Sequence, residues 1–294
     1  MYQQNDSEKL PDPPATYNLE NTLSEELLKL SFEDRDKLNQ EIHGVHCKAI
    51  AESDDQRRLA LEEFDRQINE RKNMEPKFGV LRNIARTHGP FRVRSNYCYV
   101  NDDGVRIRFL RCELFDVAKS VQKFINFLQY MSDFFGDFVA DRPVQLSDFS
   151  QSEQAQMLTS RNQFLPFRDR SGRPVLVGVG NCNYHMDWKL KFKIDMYLVW
   201  SVSEDVETQI KGQVLIGWFF DETNDFTWEK HIWPSMDKRV LGYYSKLITS
   251  FPVRIASRHH CYMDKLFYRI LAKRYTFYLD KSLLSNFKVH FGTL

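Results

Sequence analysis

The stretch VRIRFLRCELFDVAKSVQKFINFLQYM, Val105 to Met131, follows an Asp102-Asp103-Gly104 turn and divides into two helices. Asp116 sits where the second helix starts, and an aspartate carboxylate there accepts a hydrogen bond from the unpaired amides of a first turn. Beyond it, Val117, Val121, Phe124 and Leu128 fall at i, i+4, i+7 and i+11, one apolar stripe to bury. The short connection Cys112 to Phe115 makes the pair a tight helical hairpin.

Upstream, the text is helical from Leu23 to about His88. Ser31 with Asp34 resembles a capping box. Leu38, Ile42 and Val45, and again Leu61, Phe64 and Ile68, are spaced as amphipathic stripes. Residues 1–21 are polar and proline-bearing and are expected to be a disordered tail. Downstream of about residue 163 the pattern changes. Phe164–Phe167, the turn DRSGRP, and Val175–Val179 read as strand, turn, strand. Val214–Phe219, Val253–Ile255 and Phe287–Phe291 read as further strands. Between them lie helical patterns, among them Val240, Tyr244, Leu247 and Phe251. The segment from Trp188 alternates like a strand but continues through Phe192, Val199, Val202 and Val206 with helical spacing, and its length favours a helix. Strands separated by helices imply crossovers and a largely parallel sheet. The expected class is α/β, a mixed, largely parallel sheet flanked by helices and preceded by an all-α region. The expected divisions are a tail (1–21), a helical region (22–140) and an α/β lobe (141–294).

Composition narrows the function classes. Lys and Arg number 41 against 40 Asp and Glu, a net charge of +1, which argues against a dedicated nucleic-acid binder. Five widely spaced cysteines form no disulfide framework. The N-terminal sequence lacks the basic and apolar runs of a secretory signal, and the longest clean apolar stretch, Met196–Trp200, is far short of the roughly 20 residues that span a bilayer. A soluble cytoplasmic protein, peripheral on membranes at most, is expected.

Two stretches resemble a known family. RFLRCELFDVAKSVQKFINFL (Arg108–Leu128) resembles the helical lead-in of CRAL-TRIO domains, roughly LLRFLRARKFDVEKA, with Phe109, Leu110, Arg111, Phe115, Asp116 and Lys119 matching as they stand and Ala118 in place of the Glu. DRSGRPVLV (Asp169–Val177) is similar to that family's first hairpin, D-x-x-G-R-P-V, and Ser250-Phe251-Pro252-Val253-Arg254-Ile255 resembles the YP-x-R before a core strand. The three occur in the family's order and span about residues 100–294. The family comprises phosphatidylinositol-transfer and tocopherol- or retinoid-binding proteins. The resemblance implies helices beside an α/β lobe whose sheet floors a pocket for one lipid, closed by a mobile amphipathic helix. Related domains continue past the last strand, whereas this sequence ends at Leu294, so an abbreviated or incomplete lobe is expected.

On this reading Val175, Val177, Val214, Ile216, Trp218 and Ile255 would floor the pocket. Each taken singly also suits an ordinary core. The gate would be DKLFYRILAKRYTFYLDK (Asp264–Lys281), with Lys265, Arg269 and Lys273 as one basic stripe and Leu266, Phe267, Ile270, Leu271, Phe277 and Tyr278 around it. A broad apolar face with a basic edge suits a membrane interface, although aromatics packed in a core beneath a solvated basic stripe would give the same pattern. Phe267, Ile270, Leu271 and Lys273 would touch the lipid, with Lys265, Arg269, Lys273, Phe277 and Tyr278 toward the membrane. Lys273 lies nearest the lysine with which some relatives hold phosphoinositides. Leu241, Gly242 and Tyr243 stand where an acidic partner is expected, so another lipid or an apolar small molecule is an open alternative.

No catalytic residue, metal or cofactor is expected. His43, His46 and Cys47 lack a second ligand pair, Gly178 and Gly180 lack the rest of a dinucleotide fingerprint, and His259, His260 and Cys261 follow a strand, where adjacent side chains point to opposite faces and a joint site is not expected. The expected function is non-enzymatic binding, extending to intermembrane transfer, of a lipid or other hydrophobic ligand by a monomer that touches membranes transiently. The alternative is a protein-interaction adaptor that keeps the fold and has no ligand.

Overall fold

In the computed structural model, the described residues are 29, 31, 50–74, 102–140, 142–159, 162–179, 187–219, 246, 249–278 and 286–292. The chain divides into two compact units, 1–46 and 47–294, and every element named below belongs to the second. In chain order these are α1 (Asp54–Met74), α2 (Asp103–Cys112), α3 (Val117–Phe135), two 3-10 turns (Asp137–Ala140 and Leu146–Asp148), α4 (Gln151–Thr159), β1 (Asn162–Arg168), β2 (Pro174–Val179), α5 (Trp188–Val202), α6 (Val206–Lys211), β3 (Gln213–Phe219), β4 (Ile255–Met263), α7 (Leu266–Tyr278) and β5 (Phe287–Gly292). The class is the expected one: α/β, a five-stranded sheet that is mostly parallel, with helices leading.

The helical hairpin forms as its capping residues dictate. Asp102 accepts from the Gly104 amide at 2.7 Å and Asp116 from the Lys119 amide at 3.1 Å, satisfying two of the amides a first turn leaves open. Between the helices, Leu114 and Phe115 adopt left-handed backbone angles, which cost an ordinary residue roughly 1–2 kcal/mol each. The Phe115 amide bonds back to the Leu110 carbonyl at 2.7 Å, and the Phe115 ring packs on the core. The stripes land where their spacing placed them. Phe64 and Ile68 on α1 and Val121, Phe124 and Leu128 on α3 are buried, with Leu61 and Val117 packed at their edges. Ser31–Asp34, the stripe at Leu38–Val45 and the helical spacing at Val240–Leu247 lie outside the described residues or only partly within them.

A continuous chain of rings joins the helices to the α/β part. Phe64 meets Phe124 edge-on at 5.5 Å, Phe124 meets Phe109 at 5.1 Å, and Phe109 meets Phe127 at 5.4 Å. Phe127 stacks on Trp200 of α5 at 5.1 Å and meets Phe251, just before β4, at 5.4 Å. Arg111 of the hairpin is nearly buried and does structural work. It pairs with Glu52 and donates to the Gln209 side-chain Oε1 on α6, tying three segments together.

β1 and β2 form the expected hairpin. Asp169 accepts from the amides of Ser171 and Arg173 and from the buried Arg173 guanidinium, and Gly172 takes a left-handed φ of 79° that a side chain would strain. The sheet order is β1-β2-β3-β4-β5, antiparallel at β1–β2 and parallel thereafter. Pro166 falls on β1, an edge strand, where its missing N–H leaves no gap in an inner ladder.

Two boundaries differ from the expectation. The helix from Trp188 stops at Val202 instead of running through Val206. Ser203 folds its hydroxyl onto the Trp200 carbonyl and Asp205 starts a new helix by accepting from the Thr208 amide at 2.7 Å, leaving Val206 exposed. The strand expected at Val253–Ile255 is instead Ile255–Met263. Its polar sequence SRHHCY carries no apolar run, but β3 and β5 supply hydrogen-bond ladders on both sides.

Removing the centre of the ring chain tests its weight. Phe124→Ala should lower unfolding stability by about 3–5 kcal/mol, measured by urea denaturation, because it opens a cavity where three elements meet.

Candidate functional site

Alternation along the strands gives the sheet two chemically different faces. On one, register sets Val175 beside Val214, Val177 beside Ile216, and Val179 beside Trp218. Leu165 of β1 joins them. Val175, Val177 and Val214 are buried, Ile216 is half-buried, and Trp218 is 47% exposed. Among the described residues this cluster contains strand residues alone, with no helix side chain packed into it. Continuing across the same face, β4 and β5 supply Ser257, His259, Cys261, Lys288 and His290.

The other face carries the helices. Asn162 of β1 donates to Asp195 of α5 at 2.7 Å, and burial raises that carboxyl above the usual aspartate range. α7 seats Tyr268 and Ala272, one helical turn apart, against Tyr262, Phe219 and Val289. The seam is filled with rings. Phe219 stacks on Tyr262 at 4.8 Å, Tyr262 lies 5.8 Å from Tyr268 and 5.9 Å from Phe291, and His260 lies 5.0 Å from Phe219 and 4.8 Å from Phe287. Gly217 makes the stack possible, since a Cβ there would fall 2.7 Å from the Phe219 ring.

The structure therefore groups some of the sequence-selected residues and separates others. Val175, Val177, Val214, Ile216 and Trp218 share one face. Ile255 stands at the start of β4 beside Gln213, where the register shifts. α7 packs on the opposite face. On it, Leu271 is half-buried against the ring stack, while Lys265, Arg269, Ile270 and Lys273 are exposed. Leu266 is 75% exposed and Ile270 40%, one turn apart and flanked by the three basic residues. Arg269 pairs with Asp264 at 2.7 Å and lies over the Phe291 ring at 4.9 Å. The side chains of Phe267, Phe277 and Tyr278 lie outside the described residues. Sequence reading missed Leu165 and Val179 on the apolar face, and Tyr262 and Tyr268 in the seam. The parity that selected Val175 and Val177 could have found Val179.

Electrostatics separate the two neighbouring histidines. His260 faces the helix side, where its Nε2 accepts from the Arg258 guanidinium at 3.1 Å. Guanidinium only donates, so that nitrogen is bare and Nδ1 carries the proton toward the Tyr262 hydroxyl at 2.9 Å. Burial, with the Arg258 charge, holds His260 well below the ordinary histidine value.

Among the described residues, no group of three or more metal-ligating side chains forms and no helix is long and apolar enough to cross a membrane.

The chain matches no family model and no curated protein. Among the solved structures similar to it is the crystal structure of Sfh5, 11% identical, with a TM-score of 0.45, covering 82% of each chain. Likeness of that degree bears on neither ligand nor activity.

The His260 arrangement has a pH consequence. The folded chain holds fewer protons than the unfolded chain below about pH 6.5, so stability is present above that pH and is lost as pH falls. The urea midpoint should drop between about pH 7 and 5, and should drop less in His260→Asn, which removes the titrating ring.

Proposed function

We propose that the protein binds a lipid or other hydrophobic ligand against the apolar sheet face and meets membranes through α7. One observation carries the reading: Val175, Val177 and Val214 are buried on a face into whose cluster, among the described residues, no helix packs. An acyl chain laid there leaves bilayer hydrocarbon for protein hydrocarbon. Each CH₂ kept from water is worth roughly 0.8 kcal/mol, so exchange is near neutral for the chain, whereas release into water is prohibitive. Selectivity then rests on head-group contacts of about 1–3 kcal/mol. The CRAL-TRIO resemblance points the same way. Contact of Lys273 with phosphoinositide head groups at the membrane surface, and transfer between membranes, are the finer parts of the proposal.

The outer surface of α7 supports the membrane contact. Leu266 and Ile270 stand exposed within the stripe Lys265, Arg269 and Lys273. Apolar residues that insert and basic residues that meet anionic head groups, each worth about 1 kcal/mol at the surface, form the signature of an interfacial helix. Because α7 packs through Tyr268 and Ala272 on the side away from the valine face, its outer surface makes the membrane contact. Any roof over the ligand has to come from another part of the chain.

A second reading, an interaction adaptor without ligand, draws on the seam beneath α7, filled by Phe219, Tyr262 and Tyr268. Native mass spectrometry of the purified protein separates the two. A bound lipid, lost in Ile216→Asp, is expected; protein that carries no lipid and moves none between liposomes favours the adaptor. On anionic vesicles, Leu266→Glu with Ile270→Glu should abolish sedimentation. Lys273→Glu should weaken binding by about fivefold or more, the equivalent of about 1 kcal/mol.

A further inference from the structure

On the same face as the valines, three side chains form a relay. Ser257 Oγ lies 2.7 Å from His259 Nε2, and His259 Nδ1 lies 2.9 Å from His290 Nε2. β4 places Ser257 and His259 two residues apart, so both point to one face. β5, in parallel register, sets Lys288 beside His259 and His290 beside Cys261, one step along. In the tautomer with the proton on His259 Nδ1, the serine hydroxyl donates to Nε2 and Nδ1–H donates to His290 Nε2. Burial and the neighbouring His290, Lys288 and Arg173 hold His259 below its ordinary value, so its ring is neutral near pH 7.

We propose that Ser257 is a nucleophile toward a carboxylic ester, with His259 as its general base and His290 as the residue that positions His259. The constellation is that of a nucleophile, a base within hydrogen-bond reach, and a third group fixing the base's tautomer. The surroundings select the substrate. Register sets Ser257 beside Val214, His259 beside Ile216, and Cys261 beside Trp218. An acyl chain lying on Val214, Ile216 and Trp218 therefore brings its carboxyl end to the relay. Ser257 is buried, so the ester arrives across the apolar face and not from bulk water. In this respect the inference rests on the ligand-binding reading above, and it goes beyond the expectation of a purely binding protein.

The chemistry closes. Ser257 Oγ bonds to the ester carbonyl carbon as its proton passes to His259 Nε2. The bond from that carbon to the alcohol oxygen breaks, and the departing alcohol takes the proton. Water then adds to the acyl carbon, giving its proton to His259. Ser257 leaves with that proton restored. Ester and water become carboxylic acid and alcohol. Lys288, beside His259 in the ladder, places positive charge on the face where the oxyanion develops.

The test uses the full chain and an alkyl fluorophosphonate, with peptide mass spectrometry locating the adduct, alongside p-nitrophenyl ester hydrolysis. Expected are a single adduct on Ser257, no adduct or hydrolysis in Ser257→Ala, and a loss of about a hundredfold or more in His259→Gln. The wild-type rate should rise with pH as His259 deprotonates and then level off. His290→Ala should slow the reaction and His290→Glu should restore it, since a carboxylate can hold the same Nδ1–H, a rescue that a merely structural role would not give. Labelling elsewhere, no labelling, or full hydrolysis by Ser257→Ala overturns the proposal. Binding of a fluorescent fatty acid by the wild-type chain is measured in parallel. Binding without a Ser257 adduct removes the acyl transfer and leaves the ligand site. An adduct without binding leaves the nucleophile and removes the lipid reading.

Discussion

Parallel strands laid side by side in chain order can take right-handed crossovers on one side of the sheet only. β2 to β5 follow that order, and both α5 and α7 are found on the same face, α5 through Asp195 and α7 through Tyr268 and Ala272. The two faces then acquire different work. The covered face is a solid layer of rings and a neutral histidine. The face turned away from these crossovers keeps its valines, and it is there that Ser257, His259 and His290 meet.

What holds this sheet to the leading helices is aromatic and largely non-local. Phe127 touches Phe109, Trp200 and Phe251, residues scattered over more than a hundred positions in the chain. Arg111 adds a nearly buried charge whose partners, Glu52 and Gln209, lie on either side of it in sequence. Such a charge is tolerated because its guanidinium is bonded to both, and cutting it back would leave Glu52 as a poorly solvated carboxylate. The same arginine belongs to the stretch that resembles CRAL-TRIO lead-ins, so part of that resemblance reflects packing rather than ligand chemistry.

Much of the fold was legible because its signals are local. Asp116 capping α3, the left-handed Gly172 in the DRSGRP turn, and the stripe Val121–Phe124–Leu128 each follow from spacing over a few residues. β4 was misplaced because SRHHCY has no apolar alternation, and it is a strand through its neighbours' ladders. The end of α5 is hidden in the sequence because Val206 keeps the period, while Ser203 and Asp205 stop the helix through their side chains. In the candidate site, the valines were found by alternation. The relay was not, because His290 stands 31 residues from His259 and reaches it through the β4–β5 register.

The amino-acid order by itself determined which segments coil and which extend, where they stop at a capping aspartate or a turn glycine, and which residues on each element are apolar, since these depend on contacts within a turn or two. Only the tertiary structure decided which face of the sheet the crossovers cover, that α7 lies across the sheet from the valine face, and that a serine and two histidines meet. Those outcomes depend on strand order and register, which are fixed by the summed packing of distant segments and leave no local trace in the chain.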